Sequence, residues 1–373
     1  MTIVYGILGL GFLVFFHELG HFLVARFFSV KVEAFSIGMG PVLLHHTHKG
    51  TDYRLSLIPL GGYCAMKGEN DWRSAIEENK SVIEGDADSF YGIHPLKRLL
   101  IAFAGPFFNL LFACIAFFII ALIGYKYYDA STIVKMADDG NEGIFSPAHE
   151  AGMLSGDKIL SLNGNKVEYF SEISEFIAMN ADKDVTVTFE RNGEIKELVV
   201  HTVLDKNTGA GRIGIISSEF DQERHYGPYS FFPALGQGVY KACDMLCVTV
   251  KGIGVLFSGV KITSAVAGPA RITTMLGGAV KKGFGEGLGI GIVTTMEFLA
   301  LISISLFITN LLPVPILDGG LILFALIECV FRRKIHPKVL YYIQFVGIAF
   351  IAVLLILAIT SDLHYFIGKE GKL

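Results

Sequence analysis

The sequence predicts a polytopic α-helical membrane protein with four transmembrane helices, a β-hairpin in a cytoplasmic loop and one soluble, strand-rich domain. Three observations support this fold class. The 373 residues are 52% hydrophobic and 18% charged, whereas soluble proteins are roughly 25% charged. Four apolar stretches are long enough to cross a bilayer, which takes about 20 residues per helix. Between the second and third stretch the charge density returns to that of a soluble domain.

The four apolar stretches are residues 3–28, 99–125, 288–311 and 339–360. An even number of spans places both termini on the same side of the membrane. Basic residues flank the first and third loops, and loops rich in Lys and Arg stay in the cytoplasm; these residues are Arg26, Lys31, Lys97, Arg98, Arg332, Arg333, Lys334 and Lys338. The termini and residues 126–287 are then expected outside the cytoplasm. The first helix is expected to stay attached, since it lacks the features of a cleavable signal peptide.

The first cytoplasmic loop, about residues 29–98, opens with a predicted β-hairpin. Apolar residues at 42–44 precede a turn at 48–52, and the alternating residues 53–58 follow it, a pattern typical of two paired strands. We expect the hairpin to associate with the membrane. Its three histidines lack neighbouring acids and are expected to be solvated rather than to hold a second metal; they are His45, His46 and His48.

The outward segment divides into two parts. Apolar residues alternate in 185–190 and continue in 195–200 after a turn at 191–194, which predicts two strands of a soluble domain. Residues 231–260 are apolar but contain glycines and lysines. This stretch is too polar for a fifth span, and we expect an amphipathic helix on the membrane surface.

Charge and cysteine usage exclude other classes of protein. The net charge of -4 argues against a nucleic-acid-binding protein, which needs a concentrated basic face. The five cysteines contain no CxxC pair, so a disulfide framework is not expected. Cys243 and Cys247 could share a helix face, but without a second ligand pair they are expected to be buried apolar residues.

Residues 17–21 (HELGH) place His17, Glu18 and His21 inside the first apolar stretch. Histidines four residues apart lie on one face of a helix, so both imidazoles can bind one zinc ion. Ionisable side chains inside an apolar span are unfavourable unless they are paired or bind a metal. Zinc would polarise a peptide carbonyl and acidify a water molecule, from which Glu18 could take a proton. The motif predicts hydrolysis without a covalent intermediate.

A catalytic zinc ion needs a third protein ligand, and Asp318 is the candidate. It lies between two prolines and two glycines in residues 310–320 (NLLPVPILDGG), beside the third apolar stretch. These residues predict an interrupted helix. Irregular backbone at membrane depth is tolerated only where it is buried or lines a wet cavity. An aspartate in an ordinary loop is the alternative interpretation.

HELGH in the first stretch together with NLLPVPILDGG after the third resembles the site-2 protease family, specifically the bacterial regulator-of-sigma-E proteases, over essentially the whole chain. Supporting matches are residues 60–63 (LGGY), 104–109 (AGPFFN) and 267–270 (AGPA). The resemblance implies one zinc ion held by His17, His21 and Asp318, with Glu18 as the catalytic base.

The same resemblance implies roles for two asparagines. Asn310 is expected beside the site, where it could bind substrate or donate a side-chain N–H to the developing oxyanion. Asn109 is expected to line the path of the substrate, with helix packing as the alternative.

The edge strand of the hairpin could pair with a substrate whose helix has unwound.

Residues 146–164 resemble the core of a PDZ domain of the form common in bacterial proteases. One such domain fits between residue 127 and about residue 220, so regulation by two tandem PDZ domains is not expected. PDZ domains often bind a peptide as an added strand. The resemblance suggests instead that the domain excludes substrates whose outer part has not been trimmed. Peptide binding and structural support are open alternatives.

The predicted organisation follows from these motifs. It comprises residues 1–125 with two spans, the HExxH motif and the hairpin loop, 126–220 as the extracytoplasmic PDZ domain, 221–287 as the amphipathic region, and 288–373 with the last two spans. We expect a monomeric zinc endopeptidase of the bacterial inner membrane. It would cut single-span proteins, such as trimmed anti-sigma factors or remnant signal peptides, near the cytoplasmic side.

Membrane lipid is a further expected partner. Two other functional classes are considered: a non-catalytic membrane PDZ adaptor, and a transporter that relays ions through intramembrane His and Asp residues. The intact Glu18 argues against the adaptor.

Overall fold

The computed structural model describes residues 2–139, 145–206, 208–217, 222–256 and 267–370. The chain divides into two compact units, the first formed by Met1–Ile123, Tyr229–Leu246 and Ala267–Leu373 and the second by Gly124–Pro228 and Cys247–Val266. The predicted domain boundary at residues 220–221 and the end of the predicted amphipathic helix at residue 260 lie outside the described residues.

The described residues contain ten helices. They are α1 (Thr2–Phe27), α2 (Asp71–Glu77), α3 (Pro95–Ile123), α4 (Pro147–Glu150), α5 (Phe170–Ala178), α6 (Phe231–Leu256), α7 (Pro269–Glu286), α8 (Leu288–Asn310), α9 (Asp318–Phe331) and α10 (Pro337–Glu370). Four of these, α1, α3, α8 and α10, are long and apolar enough to cross a membrane. They coincide with the four predicted stretches, and α10 is longer than predicted. The protein is therefore a polytopic membrane protein.

The spans of the first unit pack closely at glycines. A Cβ atom added at Gly20 of α1 would lie 2.3 Å from the carbonyl oxygen of Ala104 in α3. A Cβ added at Gly6 would lie 2.0 Å from the carbonyl oxygen of Thr273 in α7. Real Cβ contacts are never this short, so α1 touches the backbones of both α3 and α7, an arrangement that small residues allow in membrane helices.

A break separates α8 from α9, as the prolines and glycines of residues 310–320 predict. The chain turns after Asn310, and α9 begins at Asp318. A Cβ at Gly319 would lie 2.1 Å from the carbonyl oxygen of Leu312, and one at Gly320 would lie 2.5 Å from that of Val314. Glycines are needed here because α9 begins against the turn itself. The prediction of an interrupted helix is confirmed.

The segment between α1 and α2 contains the predicted hairpin, formed by β1 (Val32–His48) and β2 (Thr51–Met66). Its two-residue turn has positive φ at both central positions, +47° at Lys49 and +80° at Gly50, as hairpin turns of this type require. The two strands double back on each other. Residues 52–55 pair with 44–47 on one side and with 34–37 on the other, and 34–37 also pair with 62–65.

The hairpin therefore makes a sheet of four segments, and residues 62–66 form one outer edge. Within the described parts of the chain, no strand pairs with the free side of this edge. The bend that allows this arrangement lies at Gly38, where φ is +86°.

The region predicted to be amphipathic contains two helices, α6 and α7. The helical prediction is confirmed for the described residues of 231–260. The predicted burial of Cys243 and Cys247 is wrong, because both residues are exposed on the protein surface.

The start of α7 is held by Asp362 of α10, whose carboxylate accepts hydrogen bonds from the backbone N–H groups of Gly268 (2.9 Å) and Ala270 (3.0 Å). Such a carboxylate stabilises the positive end of a helix.

A buried ion pair also joins elements of the first unit. Arg98 in the first turn of α3 contacts Glu328 of α9, and their side chains are only 6% and 5% exposed. Glu328 also accepts a hydrogen bond from the backbone N–H of Ile335, at 2.9 Å. This pair fixes the far end of α9, the helix that begins with Asp318.

The second unit is rich in strands. It contains β3 (Tyr125–Asp129), β4 (Val134–Met136), β5 (Lys158–Leu162), β6 (Asn165–Lys166), β7 (Asp184–Arg191), β8 (Glu194–His201), β9 (Val203–Leu204), β10 (Gly211–Arg212), β11 (Ile215–Ser217) and β12 (Gln222–Tyr226). The largest sheet has the order β6-β5-β7-β8. The predicted turn at residues 191–194 joins β7 to β8, with Arg191 paired to Glu194. The strand-rich character of this segment is confirmed.

The core of the second unit lies between the β6-β5-β7-β8 sheet and helix α5. Alternate residues of β7 point into it, and Val185, Val187 and Phe189 are at most 2% exposed. Buried Asp157 precedes β5 and accepts two hydrogen bonds of 2.7 Å from the Arg191 guanidinium. Although burial alone would raise the pKa of Asp157, these bonds hold it below its usual value.

Candidate metal centre

Three predicted ligands lie together in the first unit. The Nε2 atoms of His17 and His21 are 3.3 Å apart, as expected for residues one turn apart on α1. Asp318, the first residue of α9, directs one carboxylate oxygen to each imidazole, at 3.1 Å from His17 and 3.3 Å from His21. The three side chains are 11%, 9% and 15% exposed, in the same order. The break after α8 is what brings the carboxylate to the two histidines.

The spacing of these donor atoms fits zinc. Nitrogen and oxygen ligands lie about 2.0–2.1 Å from zinc, so neighbouring corners of a tetrahedral site are about 3.3 Å apart. The separations between the facing atoms of the three side chains, 3.1–3.3 Å, are close to that edge length. Two imidazoles and one carboxylate are also a donor set that catalytic zinc sites use, with the fourth corner left for water or substrate.

Glu18 lies beside this donor set. A cavity of about 530 Å³ is lined by the three donor residues, by Glu18 and by residues 61–66 of β2. The edge strand therefore borders the cavity beside Glu18.

Two glycines allow the surrounding elements to approach α1. A Cβ at Gly62 would lie 3.3 Å from Cγ of Glu18 and 2.7 Å from the carbonyl oxygen of Ser36. A Cβ at Gly105 of α3 would lie 2.2 Å from Nε2 of His21 and 2.8 Å from Cε1 of His17. The motifs at residues 60–63 and 104–109 thus have a steric basis. A larger residue in place of Gly62 or Gly105 would collide with side chains of the site or with the neighbouring backbone.

The two asparagines have different positions. Asn310, the last residue of α8, lines the cavity together with Asp318. Asn109 is fully buried, and its side-chain Nδ2 lies 3.0 Å from Nδ1 of His17. Asn109 therefore contacts His17 at Nδ1, the ring nitrogen that does not face Asp318. It is not among the residues that line the cavity.

One acidic residue of the cavity was not predicted. Glu69 follows β2 and lines the same cavity as Glu18, and one of its carboxylate oxygens lies 3.3 Å from the backbone N of Met66. Burial raises the pKa of the Glu69 carboxyl. Nothing in the sequence distinguishes this residue from the other acids of the loop, since its position depends on the fold of the hairpin.

The hairpin histidines differ from expectation in one respect. His45 does have an acidic partner, because its Nδ1 lies 3.2 Å from Asp52. It is nevertheless 67% exposed, and within the described ranges none of the three histidines belongs to a group of side chains able to hold a metal.

The chain is similar to known proteins along almost its whole length. A sequence model described as peptidase family M50 matches residues 5–354. A relative from Treponema pallidum is 34% identical over an alignment 446 positions long, which covers 98% of this chain and 99% of the relative. A relative from Campylobacter jejuni is 36% identical over 377 residues, covering 97% and 93%. One from Helicobacter pylori is 34% identical over 365 residues, covering 96% and 97%.

The names of all three relatives contain the words zinc metalloprotease. The matches extend through both halves of the donor set, since they include α1 and the break before α9. The chain therefore belongs to peptidase family M50, the family of the site-2 proteases.

Proposed function

We propose that this protein is an intramembrane zinc endopeptidase that cleaves single-span membrane proteins or remnant signal peptides within the bilayer. One observation carries the proposal. Three side chains whose facing nitrogen and oxygen atoms are 3.1–3.3 Å apart border a cavity that Glu18 also lines. Family membership and the names of the relatives support zinc as the metal.

His17, His21 and Asp318 would hold the ion, and one side of the donor set is open to the cavity. Zinc, when bound, supplies a Lewis acid that polarises a peptide carbonyl and acidifies water. Glu18 then acts as the base, because its side chain lines the same cavity as the three candidate ligands. The Asn310 amide borders the cavity and can donate a hydrogen bond to the developing oxyanion, an interaction worth several kcal/mol in other hydrolases.

The edge formed by residues 62–66 is the proposed docking site for the substrate backbone. A protease cuts extended chain, so a substrate helix must unwind before cleavage. An unpaired strand edge supplies backbone N–H and C=O groups to an extended chain. This edge borders the cavity beside Glu18, which favours cleavage of a chain paired there.

The second unit is proposed to be a single PDZ domain outside the cytoplasm, in a protein of the bacterial inner membrane. Its apolar groove supports this assignment: a cavity of about 350 Å³ lies between α5 and residues 211–215. The proposed role is exclusion of substrates whose outer domain is intact, and peptide binding in the groove is the competing role. Phe145→Asp, which changes an exposed residue of the groove, distinguishes them. Peptide binding predicts weaker cleavage of the trimmed substrate, whereas exclusion by size predicts unchanged cleavage of it.

The catalytic proposal is tested with purified full-length protein and two substitutions. Glu18→Gln should retain zinc and lose cleavage of a single-span substrate by at least about 100-fold, since a general base contributes 10²–10⁴. Asp318→Asn should lower zinc affinity. Cleavage unchanged in Glu18→Gln would refute the mechanism, and zinc binding unaffected in Asp318→Asn would remove only the third-ligand assignment.

Cleavage by the wild type, together with ion flux in vesicles, separates the enzyme from the other two classes. An adaptor would show no cleavage in the wild type. A transporter would depend on Asp318 and the histidines for ion flux in vesicles while cleaving nothing.

A further inference from the structure

Helix α3 contacts both candidate histidines on the side away from Asp318. The Nδ1 atom of His21 donates a hydrogen bond to the backbone carbonyl oxygen of Ile101, at 2.8 Å. The Nδ1 atom of His17 faces the side-chain amide of Asn109, at 3.0 Å. In both imidazoles the other nitrogen, Nε2, faces Asp318. Each ring is thus held at one nitrogen and presents the other to the site.

A neutral imidazole has one N–H group and one free lone pair. If Nε2 is to bind a metal, Nδ1 must carry the proton, and that N–H needs an acceptor. For His21 the acceptor is the carbonyl of Ile101. For His17 it has to be the oxygen of the Asn109 amide, because the amide is the group within hydrogen-bond distance.

The Asn109 amide can present either end to His17, since its oxygen and nitrogen ends have nearly the same shape. With the NH₂ end towards His17, the buried Oδ1 has no hydrogen-bond partner. With the oxygen end towards His17, Oδ1 accepts the Nδ1–H bond and Nε2 is free to bind a metal. The amide makes one hydrogen bond to His17 in either orientation, so metal binding at Nε2 decides between them and requires the oxygen end towards Nδ1.

Asn109 is held rigidly enough for this role. The residue is fully buried, and its backbone carbonyl accepts a 2.8 Å hydrogen bond from the hydroxyl of Ser303 in α8. One turn earlier, Gly105 permits α3 to lie directly against the two rings. The burial also argues against direct contact with substrate.

We propose that Asn109 is a positioning residue that fixes the tautomer and ring orientation of His17 for metal binding, by accepting the Nδ1–H bond through its amide oxygen. The proposal rests on the proposed zinc site. Hydrogen-bond partners of this kind typically change metal affinity by 10–100-fold. The role is therefore measurable as zinc affinity, separately from cleavage.

The test measures the zinc dissociation constant of the full-length protein in detergent, by competition with a chromogenic chelator. Asn109→Leu keeps the side-chain size and removes the acceptor, so zinc binding should weaken by about 10–100-fold. Asn109→Asp keeps an acceptor oxygen and removes the NH₂ group, and its affinity should stay within about threefold of the wild type. The control, Thr273→Val, replaces another buried polar side chain, which bonds only within its own helix, and should leave zinc affinity unchanged.

Three outcomes overturn the proposal: unchanged zinc affinity in Asn109→Leu, equal losses in the Leu and Asp variants, or an equal loss in Thr273→Val. Equal losses would mean that the NH₂ group or packing matters instead. If Asn109→Leu does not fold, the Asp variant still decides, since a need for the NH₂ group predicts weak zinc binding there. Absence of zinc binding in the wild type would refute the proposed function itself, which distinguishes the two failures.

Discussion

Replacing Gly105 by alanine should damage the metal centre although residue 105 carries no chemistry of its own. The added Cβ would lie 2.2 Å from Nε2 and 2.6 Å from Cε1 of His21, and 2.8 Å from Cε1 of His17. Favourable contacts between carbon atoms are about 3.5–4.0 Å long. Either the rings or α3 must therefore move by about 1 Å.

The His21 ring cannot turn aside freely. Its Nδ1 is bonded to Ile101 at 2.8 Å and its Nε2 faces Asp318 at 3.3 Å, so a shift breaks one or both contacts. A misplacement of about 1 Å at an active site can lower the rate by about 100-fold. We expect a loss of this order in cleavage, together with weaker zinc binding. Overpacking should also lower the free energy of unfolding by about 1–3 kcal/mol, partly offset by the better helix propensity of alanine.

The matched control is Gly278→Ala in α7. Gly278 is also a helical glycine, but no atom lies within 4 Å of its added Cβ. Its replacement should leave zinc affinity and cleavage unchanged and raise stability by up to about 1 kcal/mol. Chelator competition, cleavage of a single-span substrate and thermal unfolding measure all three quantities. If Gly105→Ala behaves like Gly278→Ala, the steric argument is wrong.

Two further predictions concern stability. The pKa of Asp157 is lower in the folded state than its ordinary value of about 3.9. The bonds to Arg191 therefore stabilise the fold above that pH. This stabilisation is lost as the pH falls through the lower pKa of the folded state. Asp157→Asn should therefore lower the free energy of unfolding by about 1.5–3 kcal/mol at pH 7. Thermal unfolding from pH 7 to pH 3 should show the difference between variant and wild type shrinking below about pH 4. A difference independent of pH would contradict the assignment. Removing one partner of the buried Arg98–Glu328 pair, by Arg98→Met or Glu328→Leu, should destabilise the protein by about 3–5 kcal/mol, because the other charge is left buried and unpaired. The double variant Arg98→Met/Glu328→Leu should be more stable than either single variant in thermal unfolding, and additive losses would argue against a coupled pair.

Much of the fold follows from simple rules of length and pattern. The spans could be predicted because a bilayer requires a long apolar stretch, and α1, α3, α8 and α10 have one. Helix α9 was missed for the same reason: its 14 residues are apolar but too few to span. The tight turns at Lys49–Gly50 and Asn192–Gly193 could be predicted because positive φ selects such residues.

The candidate site was predictable to a similar extent. The i, i+4 spacing of His17 and His21 fixes them on one helix face, and the helix breakers around Asp318 indicated an irregular segment. That the two segments meet was expected from zinc's need for a third ligand and from the resemblance, since no local rule links residues so far apart in the sequence. The positions of Asn109 and Glu69 depend on how α3 and the hairpin pack against α1, and the doubled pairing of the hairpin has no signature in a single strand.

The order of the donor residues along the chain has a consequence for biosynthesis. His17 and His21 are made at the start of translation, whereas Asp318 follows near the end. An incomplete chain therefore holds the two imidazoles and Glu18 without the carboxylate that joins them. The three candidate ligands can come together only after residue 318 has been made, so the order of synthesis keeps the nascent protein from forming the complete set.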